Sequence, residues 1–469
     1  MSRMTREQLQ QLSKDELIDI ILRQQDIIEL QQARIEQLEA RGAQLEAQIE
    51  RLTEPPKDHT NSSVPPSKSR KPNRDSPGHS KRGPKQGHRG HSRKRQEPDI
   101  TLECRANRCG ACGADLSKVA GRQVGSSQVV EIPPVRPVVI EARRYEVDCP
   151  NCGHHQQADY PAGLEPQRTF GPRIEALVAY LQHVQHISYE RLQQLMTQLF
   201  GLDISQGAIA NIIRRVAEGL QPRAEQIREA IRASPVIGCD ETGARVDGNN
   251  RWQWVFETPR ASYHLIADSR GSRVIEGVLG DAKPQVWVSD CFSAQMKAPA
   301  DRRQLCMAHQ LRDLQYGVDA ERCRFCYRMQ QLFKRAIRLN GCRDELPEDL
   351  FAAQVRGIEA ACDALLAHEA TGANGRRLHK RYRKHRDSLF TFLRREDVPA
   401  DNNASERALR KPVVHRKVSG GFRSTWGADA YAIVTTVLQT AHKSGRHTLE
   451  TLTDALGPAI NDNLLLQPR

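Results

Sequence analysis

Between residues 14 and 53 the apolar positions step by sevens: Ile21, Ile28, Ile35 and Ile49 share one heptad position, and Leu17, Leu38, Leu45 and Leu52 share another. Gly42, Gln24 and Gln31 interrupt the seams, and no proline does. A seven-residue repeat keeps one stripe turned toward a partner helix, so the segment predicts a short parallel coiled coil and a homo-oligomer. One amphipathic helix packed on its own protein is the simpler alternative. At Pro55-Pro56 the pattern stops, and to about residue 100 Ser, Pro, Gly, His and basic residues replace the large apolar side chains. Such a stretch cannot build a core. Lys81-Arg82, Lys85, Arg89 and Arg93-Lys94-Arg95 make it a cationic arm suited to phosphates.

Residues 101–165 read as a zinc-ribbon-like module. Cys109-Gly-Ala-Cys112 and Cys149-Pro-Asn-Cys152 are each followed by a glycine, Gly113 and Gly153. A C-x-x-C turn of this kind aims two thiolates at one ion, and two such turns suit tetrahedral zinc. A β-rich stretch through Val129-Val130 and Val138-Val139-Ile140 is expected to bring them together, with Cys104, His154 and His155 as substitute ligands. Residues 166–232 turn helical. A helix from Tyr189 to Phe200, a turn at Gly201 and a second helix capped by Ser205 and running through Val216 outline a helix-turn-helix. Gln206, Asn211, Arg214 and Arg215 would lie on or near its exposed face, facing DNA.

Residues 233–310 switch to strand-like runs. Val236 to Asp240, Trp252 to Phe256 and Tyr263 to Ala267 read as strands, Ser272 to Leu279 as a helix, and Val286 to Asp290 as a fourth strand. Three strands, a helix and a strand suggest a ribonuclease H-like α/β core, with Asp240 and Asp290 at strand ends. Residues 311–395, rich in Arg, Leu, Ala and Gln, predict an all-helical insertion, and residues 396–469 the second part of the core with C-terminal helices. Asp401 is expected to cap a helix running to Pro412, whose spacing puts Asn402, Asn403, Glu406 and Arg410 on one face. Carboxylates from Asp240, Asp290 and Glu406 are the hard ligands that magnesium or manganese prefers. Glu241, Asp247, Asp268 and Asp281 are nearby acids expected to serve turns or surface. Cys306, His309, Cys323 and Cys326 offer a second zinc set, against a role for His309 in orienting DNA. Arg407, Arg410, Lys411, Arg416 and Lys417, with His415 and Arg423, line the border of the proposed site as phosphate contacts.

Composition sharpens this. With 70 Lys and Arg against 57 Asp and Glu the net charge is +13, which favours a polyanionic partner. No apolar run suits a membrane span and the N-terminus is charged and polar, so the expected location is cytoplasmic and nucleoid-associated. Twelve cysteines in such a compartment read as metal ligands before disulfides.

Taken in order, Asp240-Glu241-Thr242-Gly243, Asp290, Cys306-Met307-Ala308-His309, Asp401-Asn402-Asn403 through Glu406 to Arg410, and Gly420-Gly421-Phe422-Arg423-Ser424 resemble the successive blocks of insertion sequence 66 family transposases. So do Thr60 to Ser67 and the paired cysteine turns, while Cys291-Phe292 and Met307 depart from the pattern. The resemblance implies a DDE transposase with Asp240, Asp290 and Glu406 as its acids, double-stranded DNA as element end and target, and accessory proteins from the same element. A DNA-binding repressor without chemistry and a ribonuclease H-like nuclease are the rival readings. The expected modules are 1–54 coiled coil, 55–100 basic linker, 101–165 zinc-binding domain, 166–232 helical DNA-binding domain, 233–310 and 396–469 catalytic core, and 311–395 helical insertion.

Overall fold

The computed structural model describes residues 13–53 and 93–456, apart from 162 and 167. Most of the basic linker, including Thr60 to Ser67, Lys81, Arg82, Lys85 and Arg89, therefore lies outside the described residues. Helix α1, Lys14–Thr53, is unbroken across the heptad segment, and Ile21, Ile28, Ile35 and Leu38 on it are exposed in the single chain. No helix among the described residues is long and apolar enough to cross a membrane.

The cysteine-turn region has little regular structure. Strands β1, Glu146–Asp148, and β2, His155–Gln157, pair antiparallel around the second turn. The β-rich ribbon expected through Val129 and Val138 to Ile140 does not form: no strand occurs there, and Val129 and Val139 are exposed. The paired prolines at 133–134 and Pro137 explain the failure, since a proline cannot donate to a ladder.

Helices α2, Pro172–His183, α3, Tyr189–Phe200, and α4, Gln206–Arg232, follow. The helix-turn-helix outline is present. Gly201 closes α3 in the left-handed region, and the Ser205 hydroxyl accepts the Ala208 amide at 3.1 Å to start α4. Leu192, Met196, Ile204, Ile209, Ile212 and Val216 are buried between the helices. Helix α4 continues well past Val216, through Pro222.

The sheet comprises β3, Val236–Val246, β4, Asn249–Glu257, β5, Ser262–Ala267, β6, Val286–Ser289, and β7, Arg302–Leu305, with α5, Ser272–Leu279, between β5 and β6. Its order is β5-β4-β3-β6-β7. Strands β4 and β5 are antiparallel, whereas β6 runs parallel to both β3 and β7. Buried Trp254, Phe256 and Trp287 pack at the centre, with Phe256 edge-on to Trp287 at 6.1 Å.

Beyond β7 come α6, Met307–Glu321, α7, Arg324–Gly341, α8, Glu348–Leu366, α9, Ala373–Lys384, and the short α10, Thr391–Arg394. They share one core through Leu314, Met329, Phe333, Ile358, Leu378 and Tyr382, continuous with Val286, Val288 and Leu305 of the sheet. The helical insertion is thus an extension of the core, and it begins at Met307. Helix α11, Asn403–Ser419, does not end at Pro412 as expected. Losing one amide removes a single turn bond, and Ala408 and Leu409 hold the preceding turn against Val255. Helices α12, Thr425–Lys443, and α13, Thr448–Ala455, close the described chain.

The chain clusters into two compact units. One contains α1, Gln226–Ala244 and Asn250–Pro412, and the other contains the described residues from 93 to 225, Arg245–Asn249 and those from 413 to 456. The residues after Pro412 therefore cluster with the helices that precede Glu225. Two contacts cause this. Helix α2 packs against α12 and α13, and the hairpin tip pairs with the glycine block: Phe422 N–H donates to Arg245 O and Asp247 N–H to Phe422 O, each at 2.8 Å. Gly421 makes the approach possible, with φ of 123° and a position where a Cβ would stand 2.7 Å from Arg245 O. Gly421→Ala should destabilise this unit by about 2 kcal/mol or more. Hydrogen exchange at the Asp247 amide checks it, and unchanged protection would refute the strain argument.

Candidate catalytic site

The register of the sheet brings the first two acids level. Val236 pairs with Val286 and Gly238 with Val288 in parallel, so Asp240 and Asp290, each two residues further on, emerge at the same edge. Strands in parallel keep this alignment without any turn chemistry. Asp290 follows the last residue of β6, and its Oδ1 accepts the Phe292 amide at 2.8 Å.

Glu406 arrives from α11 because the start of that helix sits directly on β3. Asn402 donates to Cys239 O at 2.8 Å and accepts the Ser405 hydroxyl at 2.7 Å. A Cβ at Gly238 would meet Asn402 Oδ1 and Ser405 Oγ at 3.0 Å. Asn402 is thus buried and spent on the strand, not presented with Glu406 as the helical spacing implied. Asp401 does act near the helix start, accepting the Asn403 amide at 3.0 Å. Gly238→Val should push the first turn of α11 away. Hydrogen exchange at the amides of that turn should then quicken, because the Asn402 to Cys239 bond at 2.8 Å no longer holds it on the strand. Wild-type exchange rates would contradict the positioning argument.

Burial holds the Asp240 carboxyl well above the usual carboxylate range, and the charges of Glu241, Asp290 and Glu406 add to it. The carboxylate oxygens of these acids are the donors a hard divalent ion takes. Glu406 is about a third exposed, with Arg312 Nη2 at 3.3 Å and His309 Nδ1 at 3.5 Å from its Oε1. Burial, then Arg312, lowers the His309 pKa, outweighing the acids around it, so this imidazole is neutral at neutral pH. Among the described residues, one group of three ligating side chains has its donor atoms all within 4.8 Å: Cys306, His309 and Glu406.

Glu241 is not the surface acid expected. Its side chain is 2 % exposed, its Oε2 accepts Gln295 Nε2 at 2.7 Å, and its Oε1 accepts Arg270 at 2.8 Å. Arg270 lies over the rings of Phe292, at 3.9 Å, and Trp252, at 4.6 Å. Burial, with Asp290 nearby, raises the Glu241 pKa despite both hydrogen bonds. Asp247, Asp268 and Asp281 are exposed, as expected.

Other candidate residues are placed as follows. In each cysteine turn the first thiol accepts two backbone amides, Cys109 from Ala111 and Cys112, and Cys149 from Asn151 and Cys152, and these bonds lower both thiol pKa values. Gly113 and Gly153 amides return to Cys109 and Cys149 carbonyls at 2.9 and 2.8 Å. Each half-site is formed, but the two pairs are not gathered into a single close ligand group. His155 is engaged by Asp148 and Glu146, and Cys104 is exposed. Cys323 and Cys326 are buried in the helical core, where the Cys326 amide donates to Cys323 Sγ, so they do not join Cys306 and His309 as a second zinc set. Arg215 pairs with buried Glu175 at 2.6 Å, beside Arg168 at 3.0 Å, while Arg214 covers Trp426 at 4.7 Å. Arg407, Arg410, Lys411 and Lys417 are exposed on α11, and Arg416 is half-buried. His415 is buried among His186, Phe422 and Tyr431. Burial lowers its pKa to about 4, so it carries no charge for phosphate.

Comparison with known proteins adds an independent finding. Residues 167–430 match the family described as Transposase IS66 family, and residues 107–153 match the zinc-finger binding domain of transposase IS66. Three similar proteins come from Sinorhizobium fredii (strain NBRC 101917 / NGR234). Uncharacterized protein y4hP is 25 % identical over 73 % of this chain and 68 % of its own. Uncharacterized protein y4jD is 22 % identical over 76 % of each, and uncharacterized protein y4jO is 37 % identical over 17 % of this chain and 25 % of its own.

Proposed function

The chain belongs to the transposase IS66 family, and from that membership we propose that it is a DDE transposase with a ribonuclease H-like core. It binds the ends of a bacterial insertion sequence, cuts the DNA strand there and joins the freed 3′-hydroxyl to a target. The observation that carries this reading is the convergence of Asp240, Asp290 and Glu406 from two parallel strands and one helix at a single sheet edge, close enough for their charges to act on one another.

In this reading the three acids hold magnesium or manganese. Two such ions, held by these carboxylates, would activate the attacking oxygen and stabilise the leaving one. Arg270 and Gln295 fix Glu241 behind the site, and Arg312 fixes Glu406. The exposed Arg407, Arg410 and Lys411 grip DNA phosphates, joined by Arg416 and Lys417. Arg214 and Arg215 keep a DNA role only at the edge of the helix-turn-helix, because Trp426 and Glu175 already engage them. The four cysteines hold structural zinc.

The exposed seam of α1 supports self-association, and removing residues 1–54 should lower the particle mass in sedimentation. An unchanged mass would remove the coiled coil. The charge balance supports a cytoplasmic, nucleoid-associated location, and accessory proteins from the same element complete the partner set.

The decisive experiment supplies labelled element ends, a target plasmid and magnesium. Joined products are expected. Cut ends without joining would favour the nuclease, and binding without cutting the repressor.

A further inference from the structure

We propose a second metal site of different chemistry that shares Glu406: Cys306 Sγ, His309 Nδ1 and the Glu406 carboxylate form a three-ligand site for a thiophilic divalent cation of the zinc class. Three observations carry it. The donor atoms of these side chains lie within 4.8 Å of one another. Ligands about 2.0–2.1 Å from a tetrahedral ion stand roughly 3.4 Å apart, and His309 Nδ1 lies 3.5 Å from Glu406 Oε1. His309 Nδ1 is itself buried with no hydrogen-bond partner, an unusual state for a polar atom unless something outside the chain completes it.

The local fold explains the convergence. Cys306 follows β7 and precedes α6, and His309 stands one turn into that helix, on the same face. Glu406 comes from the first turn of α11, and the Asn402 amide just before that helix donates to Cys306 Sγ at 3.2 Å. That bond favours a thiolate, but burial outweighs it and pushes the Cys306 thiol up to about 12, so the proton leaves only when an ion takes its place. Because Zn–S bonds are about 2.3 Å, donor atoms within 4.8 Å of one another ask for movement of no more than about an ångström at Sγ. The competitor is Arg312, whose Nη2 lies 3.3 Å from the same carboxylate oxygen and would be displaced as its counter-charge. On binding, the Cys306 thiol gives its proton to solvent, and water takes the fourth position.

The consequence for activity rests on the magnesium reading above: an ion held here takes Glu406 from the catalytic set, so zinc inhibits. Binding itself does not depend on that reading. Full-length protein carrying zinc in its N-terminal module is titrated with Co2+, and the spectrum of the Cys306→Ser variant is subtracted. A near-ultraviolet sulfur-to-cobalt band saturating at one equivalent is expected, weakened at least about tenfold in affinity by His309→Gln, which keeps the buried cysteine in place. A flat difference spectrum, or a band unaffected by His309→Gln, overturns the site. Zinc added to a magnesium-dependent cleavage reaction should inhibit the wild type and spare Cys306→Ser. Protein that gives the cobalt band yet never cleaves DNA would count against the transposase reading and leave the metal site standing.

Discussion

Glu406→Gln is expected to reduce DNA strand cleavage by at least about a thousandfold while leaving DNA affinity nearly unchanged. The size follows from what a divalent ion contributes at a phosphoryl centre, several kcal/mol of charge stabilisation, with each ~1.4 kcal/mol worth a factor of ten. The amide keeps the shape of Glu406 and its place on α11 but loses the charge that holds a cation. Two features make this the sharper choice among the acids. Glu406 is about a third exposed, so the uncharged amide is accommodated without a large burial cost. Asp240, by contrast, is raised by burial and by three neighbouring acids, and its replacement also relieves repulsion, which mixes stability with catalysis. Cleavage and joining of labelled ends, measured beside affinity in calcium, separate the effects. Activity within about tenfold of wild type would sink the assignment of Glu406. Arg407→Ala should do the reverse, weakening affinity and flattening its salt dependence by about one phosphate contact.

The strands bearing the acids were legible because their residues advertise them. Val286 to Ser289 stands out by its apolar pattern and forms within a residue of the expected limits, and Ser272 to Leu279 forms the expected helix. Strand β3, however, runs past Asp240 to Val246, and β4 begins at Asn249, ahead of Trp252. Strand β7 did not stand out, since Arg302-Arg303-Gln304-Leu305 is polar and short. It is recruited through Gln304, which is buried and donates to Leu389 O while accepting the Phe392 amide, contacts that local sequence cannot announce. The same holds for Glu241. Beside a strand-terminal aspartate it looks like surface chemistry, and only Arg270 and Gln295, from distant segments, make it internal. Spacing also left the partner of Cys306 and His309 open. The C-x-x-C of Cys323 and Cys326 matches a zinc pattern, yet its sulfurs face a helical core, and the neighbour in space is an acid about a hundred residues away.

Lowering the pH from 7 to 5 is expected to loosen the helical unit containing α2 and α12, through His183 and His415. Both are buried, at 6 % and 5 % exposure. His183 stacks on Tyr431 at 5.6 Å, His415 lies 4.4 Å from the same ring, and His186 lies 5.6 Å from His415. Burial, with the neighbouring histidine charges, lowers the His183 pKa from 6.5 to about 3, and burial with His186 lowers that of His415 to about 4. Unfolded, either imidazole takes up a proton once the pH falls below about 6.5; folded, neither does until far lower. The unfolded chain therefore binds more protons across this interval, and stability rises with pH. The contribution is complete above 6.5 and drains away below it, at about 1.4 kcal/mol per pH unit for each histidine. At pH 5 that amounts to roughly 2 kcal/mol each, large against the total stability of a domain. Hydrogen exchange in α2 and α12, corrected for its intrinsic pH dependence, measures the slope. His183→Phe keeps a ring against Tyr431 and should flatten the slope by about half, and adding His415→Phe should nearly abolish it. An unchanged slope in the double variant would assign the acid sensitivity elsewhere.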